Sequence, residues 1–265
     1  MNIIPKIFDR NKVKLHRDRV SSVFSNYDFL FKYYSEDILE RIEFFNQTQE
    51  AIDPGVILEI GSRNGLLSSK LGETFPSSMI IGSDLSKEML TFNPVSVKIV
   101  IDEENMPFEK NTIGIVISNL SMHWVNDVPG VLCQIYDVLK PGGLFIANFF
   151  GGNTLSFLKK TLLQAEINLG LRVHSHISPM ISPDVIPELM KRAKFTSHIT
   201  DTNISKIKYS SILELMRDLK YMGESNSLLG YENYPLTRSA IKELSKIVPE
   251  KFEEEFEIIT VTGRK

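Results

Sequence analysis

Carboxylates and glycines at the ends of apolar runs are the residues here whose types and spacing could do chemistry. Glu59 lies near the end of the run in VILEIGSRNG, Val56 to Gly65, and Gly61 and Gly65 bracket the turn of Ser62, Arg63 and Asn64. Glycines let a backbone approach a ligand, and the first N–H groups of a following helix are unpaired, so strand, tight turn and helix make a nucleotide cradle. The spacing fits neither the dinucleotide pattern G-x-G-x-x-G nor a P-loop, because no Gly-Lys-Ser/Thr follows. Asp84 ends a second run, MIIGSD, about 20 residues past the loop, the interval at which an acidic residue reaches ribose hydroxyls. Capping of the helix SKEMLTF is the competing use of Asp84, but Ser86 is also placed for that. Asp102 and Glu103 close a third run, VKIVI, where a carboxylate can accept from an adenine amino group; a surface acidic loop is the alternative. Asn119, Leu120 and His123 follow a fourth run, IGIVISN, whose end faces the same crevice. His123, beside Trp124, reads as a pocket wall before it reads as a base. His174 and His176 have an H-x-H spacing with no companion carboxylate at motif distance, so no metal is expected.

These groups need strands to carry them to one edge. Apolar runs too short for helices, each ending in a polar residue and followed by helical spacing, predict an α/β protein with a parallel sheet. A fifth buried strand, LFIANFF, follows the turn Lys140-Pro141-Gly142-Gly143. The pattern then changes to a long amphipathic helix, TLSFLKKTLLQAEINLG, the Pro/His/Ser-rich loop RVHSHISPMISP and a short helix. Next come an alternating strand (FTSHITDTNISKIKY), the helix SSILELMRDLKYMG, a polar loop, a helix ending at Ile247 and a last strand, EFEIITVTG. Met222 to Asn226, MGESN, reads either as a recognition loop or as a helix end with Gly223 as its cap. Before the first strand, Lys6, Arg10, Lys12, Lys14, Arg17 and Arg19 face only Asp9 and Asp18 and alternate with apolar residues. That basic arm could meet a membrane or act as a transit peptide; a solvated helix packed over the next domain is the favoured reading. Two further helical patterns, VSSVFSNYDFLFKYY and EDILERIEFFNQTQ, end at the break Asp53-Pro54-Gly55. We therefore divide the chain into a helical arm and cap, 1–50, and a domain, 51–265, whose binding core is 55–152 and whose lid and strand pair are 153–265.

Composition narrows the partners. Thirty basic against 33 acidic residues leave a net charge of −3, which gives no drive toward nucleic acid. No apolar run approaches the roughly 18 residues of a membrane span, so no stable insertion is expected. The single Cys133 cannot form an internal disulfide and reads as buried filler in a helix.

Assembled, these pieces resemble a class I S-adenosylmethionine-dependent methyltransferase: a Rossmann-like, doubly wound, mostly parallel sheet with an antiparallel last strand. The resemblance implies that EIGSRNG, from Glu59 through Gly61, Ser62, Arg63 and Gly65, lies against methionine and ribose. It implies that Asp84, with Leu85 beside it, takes the ribose hydroxyls, that Asp102 and Glu103 meet adenine, and that the backbone at Asn119 and Leu120 takes the methionine ammonium. FDRNKVKLHRDR, SNLSMHWVNDVPGVLCQIYDVLKPGG, FFGGNTL, HISPM and ELMRDLKYMGESN resemble more narrowly the bacterial and mitochondrial complex I assembly factor group of that superfamily. Malonyl carrier-protein methyltransferase is a more distant likeness. Arg63 stands where the superfamily usually has a second loop glycine, so it should either point outward or weaken cofactor binding. An N-terminal segment often covers such sites, and Tyr27 is the residue expected to reach in.

Three functions follow as expectations. Methyl transfer from S-adenosylmethionine to a protein or small-molecule acceptor needs positioning and no metal, so no catalytic residue can be named. The closer resemblance implies hydroxylation of an arginine on an NADH dehydrogenase subunit. A non-catalytic assembly module with a degenerate loop is the third. The resemblance implies a bacterial cytoplasmic protein, with a peripheral position at the inner membrane as an option.

Overall fold

The computed structural model describes residues 6–48, 54–230 and 236–265. Asp53 and the boundary expected between residues 50 and 51 lie outside them. Seven strands form one sheet: β1 Val56–Ile60, β2 Met79–Asp84, β3 Val97–Val100, β4 Ile113–Asn119, β5 Leu139–Phe150, β6 Ser197–Tyr209 and β7 Phe252–Arg264. Their order is β3-β2-β1-β4-β5-β7-β6. The first five are parallel, and β7 enters between β5 and β6 antiparallel to both. This is the expected doubly wound sheet, with its order reversing on either side of β1 and placing a crevice at the β1/β4 carboxyl ends.

Period-two alternation decides which side chains face which layer. Ile57, Ile115, Ile117, Leu144 and Ile146 meet Ile38 and Ile42 of helix α2 (Phe29–Thr48) and Leu67 and Leu71 of α3 (Leu66–Thr74). Their neighbours Leu58, Val116, Phe145 and Ala147 face the other way, onto Val131, Leu132 and Ile135 of α5 (Val128–Val138). Cys133 is exposed, correcting the buried reading: it lies on the opposite side of α5 from those three. A third apolar cluster joins Phe24, Phe31, Leu120 and Phe150 to α6 (Ser156–Asn168), α8 (Ile212–Tyr221) and α9 (Arg238–Ile247), so the insertions roof the carboxyl edge.

The N-terminal segment differs from its expected pattern. Helix α1 covers Arg10–Val20, a 3-10 turn follows at Phe24–Asn26, and α2 then runs unbroken through both FLFKYY and EDILERIEFFNQT. Asp9 caps α1 by accepting from the N–H groups of Asn11 and Lys12. Ahead of the helix, Ile7 and Phe8 donate to Asn126 Oδ1, both at 2.7 Å. Phe8 also forms an antiparallel bridge with Leu228 and meets the Trp124 ring edge-on, at 5.4 Å. The arm is thereby fastened across the carboxyl edge of the sheet.

Candidate functional site

The glycine loop is tight because its backbone must be. Gly61 and Gly65 have φ of 67° and 77°, and a Cβ on Gly61 would lie 2.1 Å from Ser121 Oγ. A Cβ on Gly65 would meet the side-chain amide of Asn93 at 2.3 Å. Arg63, also left-handed at φ 50°, keeps that conformation with its own N–H donating to Asp84 Oδ2 at 3.1 Å. Ser86 N–H donates to the other Asp84 oxygen at 2.8 Å, while Ser86 Oγ caps the short helix α4 (Lys87–Thr91) through Met89 N–H. Asp84 is therefore free of the capping role.

Asp84 is paired with a residue that the pattern reading placed on a solvated arm. Arg17 of α1 is fully buried, and its Nη1 donates to both Asp84 oxygens at 3.1 Å. Its Nη2 donates to Ser121 Oγ at 2.8 Å. The next residue, Asp18, accepts from Ser86 Oγ at 2.5 Å. Two turns back on the same helix, Arg10 donates to Asp102 at 2.9 Å, to Glu103 at 2.6 Å and to the Trp124 carbonyl at 2.9 Å. Burial alone would lower the Arg10 pKa, but the two carboxylates outweigh it and raise it.

Arg63 does not point outward. Its buried guanidinium lies over the rings of Phe31 and Phe24, at 4.5 and 5.3 Å, and donates to the carbonyl of Met222 at 3.0 Å. It ion-pairs with Glu224 at 2.5 Å and approaches the Leu120 carbonyl at 3.5 Å. Burial, aided by neighbouring Arg17, pushes its pKa down to about 10, so it stays charged near neutrality. Glu224 also accepts from Trp124 Nε1 and His123 Nε2, both at 2.8 Å. Burial opposes the charge of Glu224, yet His123, Arg63 and Arg17 together hold its pKa at about 2. An ionised carboxylate only accepts, so the shared hydrogen sits on His123 Nε2 and the lone pair on Nδ1. Burial, followed by Arg63 and Arg17, lowers the His123 pKa against the pull of Glu224 and keeps the ring neutral. His123 is thus held in one tautomer.

MGESN is the helix end capped by Gly223. Gly223, at φ 79°, follows the end of α8, and Glu224 N–H closes onto the Leu219 carbonyl, while the Glu224 side chain enters the cluster. Glu224, Trp124, Phe150 and Leu158 then line a cavity of roughly 260 Å³ beneath the insertions.

The remaining expected residues divide. Asn119 Nδ2 donates to the Phe31 carbonyl, leaving its buried Oδ1 with no hydrogen-bond partner among the described residues, as is Glu103 Oε1. Ser62 accepts from Asn93, and half-buried Leu85 packs against Phe8, Val13 and Trp124 of the arm contact. Tyr27 stacks on Tyr221 at 4.6 Å. His176 binds Glu166 at 2.8 Å and the His174 N–H meets the same carboxylate. No group of three potential metal ligands exists among the described residues. Arg17, Ser121 and Glu224 were missed. The signal for Arg17 was its seven-residue spacing from Arg10, which puts both on one face of a helix.

Glu59 is buried beside Ser68, which donates to it from α3. Burial is the main cause that raises its pKa from 4.5 to about 8, so the folded protein carries a proton there that the unfolded chain releases above about pH 4.5. A raised carboxyl contributes stability below its unfolded pKa and loses it as pH rises toward the folded value. The gain in melting temperature of Glu59→Gln over the wild type should therefore grow from pH 5 to pH 8. A pH-independent difference would show that Glu59 is ionised in the folded state.

A doubly wound sheet carrying a Gly-rich loop after β1 and acidic groups at the ends of β2 and β3 is the architecture of class I methyltransferases. A methyltransferase domain model matches residues 58–147. The solved structure of Haemonchus contortus phosphoethanolamine N-methyltransferase 2 superposes on 96% of this chain and 60% of its own with a TM-score of 0.58 at 16% identity, a likeness of fold. Two relatives are nearer in sequence. A Rickettsia prowazekii protein bearing the provisional name of a methyltransferase is 36% identical over 72% of this chain and 85% of its own length. The mitochondrial arginine-hydroxylase NDUFAF5 of Danio rerio is 33% identical over 83% of this chain and 68% of its own. The chain belongs to this NDUFAF5-related family of class I S-adenosylmethionine-dependent methyltransferases.

Proposed function

We propose that the chain holds S-adenosylmethionine across the carboxyl ends of β1 to β4 and methylates a protein side chain presented in the cavity beside Glu224. One observation carries the reading. Acceptor oxygens at successive strand ends, on Asp84, Glu103, Asn119 and the Leu120 carbonyl, face one edge, and two of them, Glu103 Oε1 and Asn119 Oδ1, are buried without hydrogen-bond partners among the described residues. Buried acceptors are normally satisfied, so these two are suited to N–H donors of a ligand. Glu59, Gly61, Ser62, Gly65 and Leu85 frame the same space. Bound there, the sulfonium supplies an electrophilic methyl group. The protein's part is positional: the insertions exclude water, the cavity aligns the acceptor, and Glu224 holds His123 with Nδ1 free of a proton.

Hydroxylation is the second reading, favoured by the names of the mitochondrial relatives. In both readings the partner is a protein related to NADH dehydrogenase, reached from the bacterial cytoplasm. No helix of the described residues is long and apolar enough to cross a membrane. Mass spectrometry of NADH dehydrogenase subunits from cells with and without the gene tests this. We expect one side chain to lose a methyl group when the gene is deleted. Loss of an oxygen instead would establish the hydroxylase, and unchanged subunits would point to another acceptor.

A further inference from the structure

Three arginines occupy the three polar stations of the carboxyl edge. Arg10 lies on Asp102 and Glu103, Arg17 on Asp84, and Arg63 between Glu224 and the Leu120 carbonyl. On the reading above, which this inference rests on, those stations serve adenine, ribose and the methionine ammonium. An amino group, a diol and an ammonium all present hydrogens to these oxygens, and so does a guanidinium, so each arginine meets its station with the ligand's own polarity. Arg17 is the most complete of the three. It is 0% exposed, it takes both Asp84 oxygens, and its Nη1 lies 3.8 Å from where a Cβ on Gly61 would be. The guanidinium therefore lies over the loop glycine at which a ligand's close approach is expected.

A purely structural pair would be better satisfied. Arg17 Nε is buried without a hydrogen-bond partner among the described residues, and a buried ion pair is weak evidence for stability because desolvation offsets the attraction. We propose that Arg17 is a resident ligand of the ribose station and sets the cofactor affinity of this chain: it must leave Asp84 before the ribose hydroxyls can bind there. Arg63 plays the same part at the ammonium station. The arm can release Arg17 without detaching, because Phe8 is separately fastened to Asn126 and Leu228. Apparent affinity then equals the intrinsic affinity multiplied by the fraction of molecules in which Arg17 is displaced.

Calorimetric titration of the full chain with S-adenosylmethionine and with 5′-methylthioadenosine, which keeps ribose and adenine but lacks the amino-acid part, tests the proposal. Arg17→Gln, which removes the charge and retains a donor, should bind both ligands about tenfold tighter or more than the wild type. Arg63→Gly should tighten S-adenosylmethionine alone. Arg17→Lys keeps a cation beside Asp84 and loses the contact to Ser121; should the Gln variant fail to fold, a tightening of several-fold in the Lys variant carries the same conclusion. A wild type that binds, with position-17 variants that bind equally or more weakly, overturns the proposal and leaves the cofactor reading standing. Absence of binding in the wild type and in all variants overturns both.

Discussion

Asp84→Asn should lose measurable S-adenosylmethionine binding and about 3–5 kcal/mol of stability, the cost of leaving one member of a buried ion pair alone. The stability loss follows from what Asp84 holds. Arg17 places one nitrogen on both carboxylate oxygens, and the N–H groups of Arg63 and Ser86 complete the ring of donors. An amide offers a single acceptor oxygen and turns its own hydrogens toward the guanidinium. For a chain of this size the loss corresponds to a fall in melting temperature of roughly 10 °C. A double-mutant cycle isolates the pair: Asp84→Asn with Arg17→Gln should cost clearly less than the two single changes summed. Additive losses would show that the carboxylate serves the loop N–H groups and not the arginine.

Glu224→Gln should be comparably damaging, for a different reason. Glu224 is the common acceptor of Arg63, His123 and Trp124, and it lies on the wall of the cavity. Its removal leaves the Arg63 guanidinium under two aromatic rings with only carbonyl partners, again about 3–5 kcal/mol. The pH dependence separates this from a packing defect. Glu224 has a folded pKa of about 2 against 4.5, so its contribution is complete above pH 4.5 and is lost as pH falls toward 2. The stability gap between wild type and variant should therefore narrow on acidification through that window. A gap that stays constant down to pH 2.5 would mean that the charge of Glu224 is not what stabilises the cluster. The variant should also free the His123 tautomer.

Local chemistry made the scaffold legible without coordinates. Runs such as VILEI and IGIVISN are apolar on both faces, which suits only central parallel strands, and each carries a polar residue, Glu59 or Asn119, at or next to its carboxyl end. Gly61 and Gly65 marked the loop because left-handed backbone with no room for a Cβ admits little else. Asp84 could be assigned to that edge from spacing alone, since a strand–turn–helix–strand unit has a nearly constant length. What occupies the edge was not legible. Arg17 is 67 residues from Asp84, and Arg63 is 161 from Glu224. No periodicity reports a contact at such separations, and a basic helical arm has the same composition whether its face meets water or a buried carboxylate. The missing loop glycine left Arg63 two courses, to point outward or to weaken cofactor binding, and sequence could not choose between them. Arg63 is inside because Glu224, from a helix end more than half the chain away, and the rings of Phe24 and Phe31 make a place for it. Burial of a charge depends on partners that folding assembles.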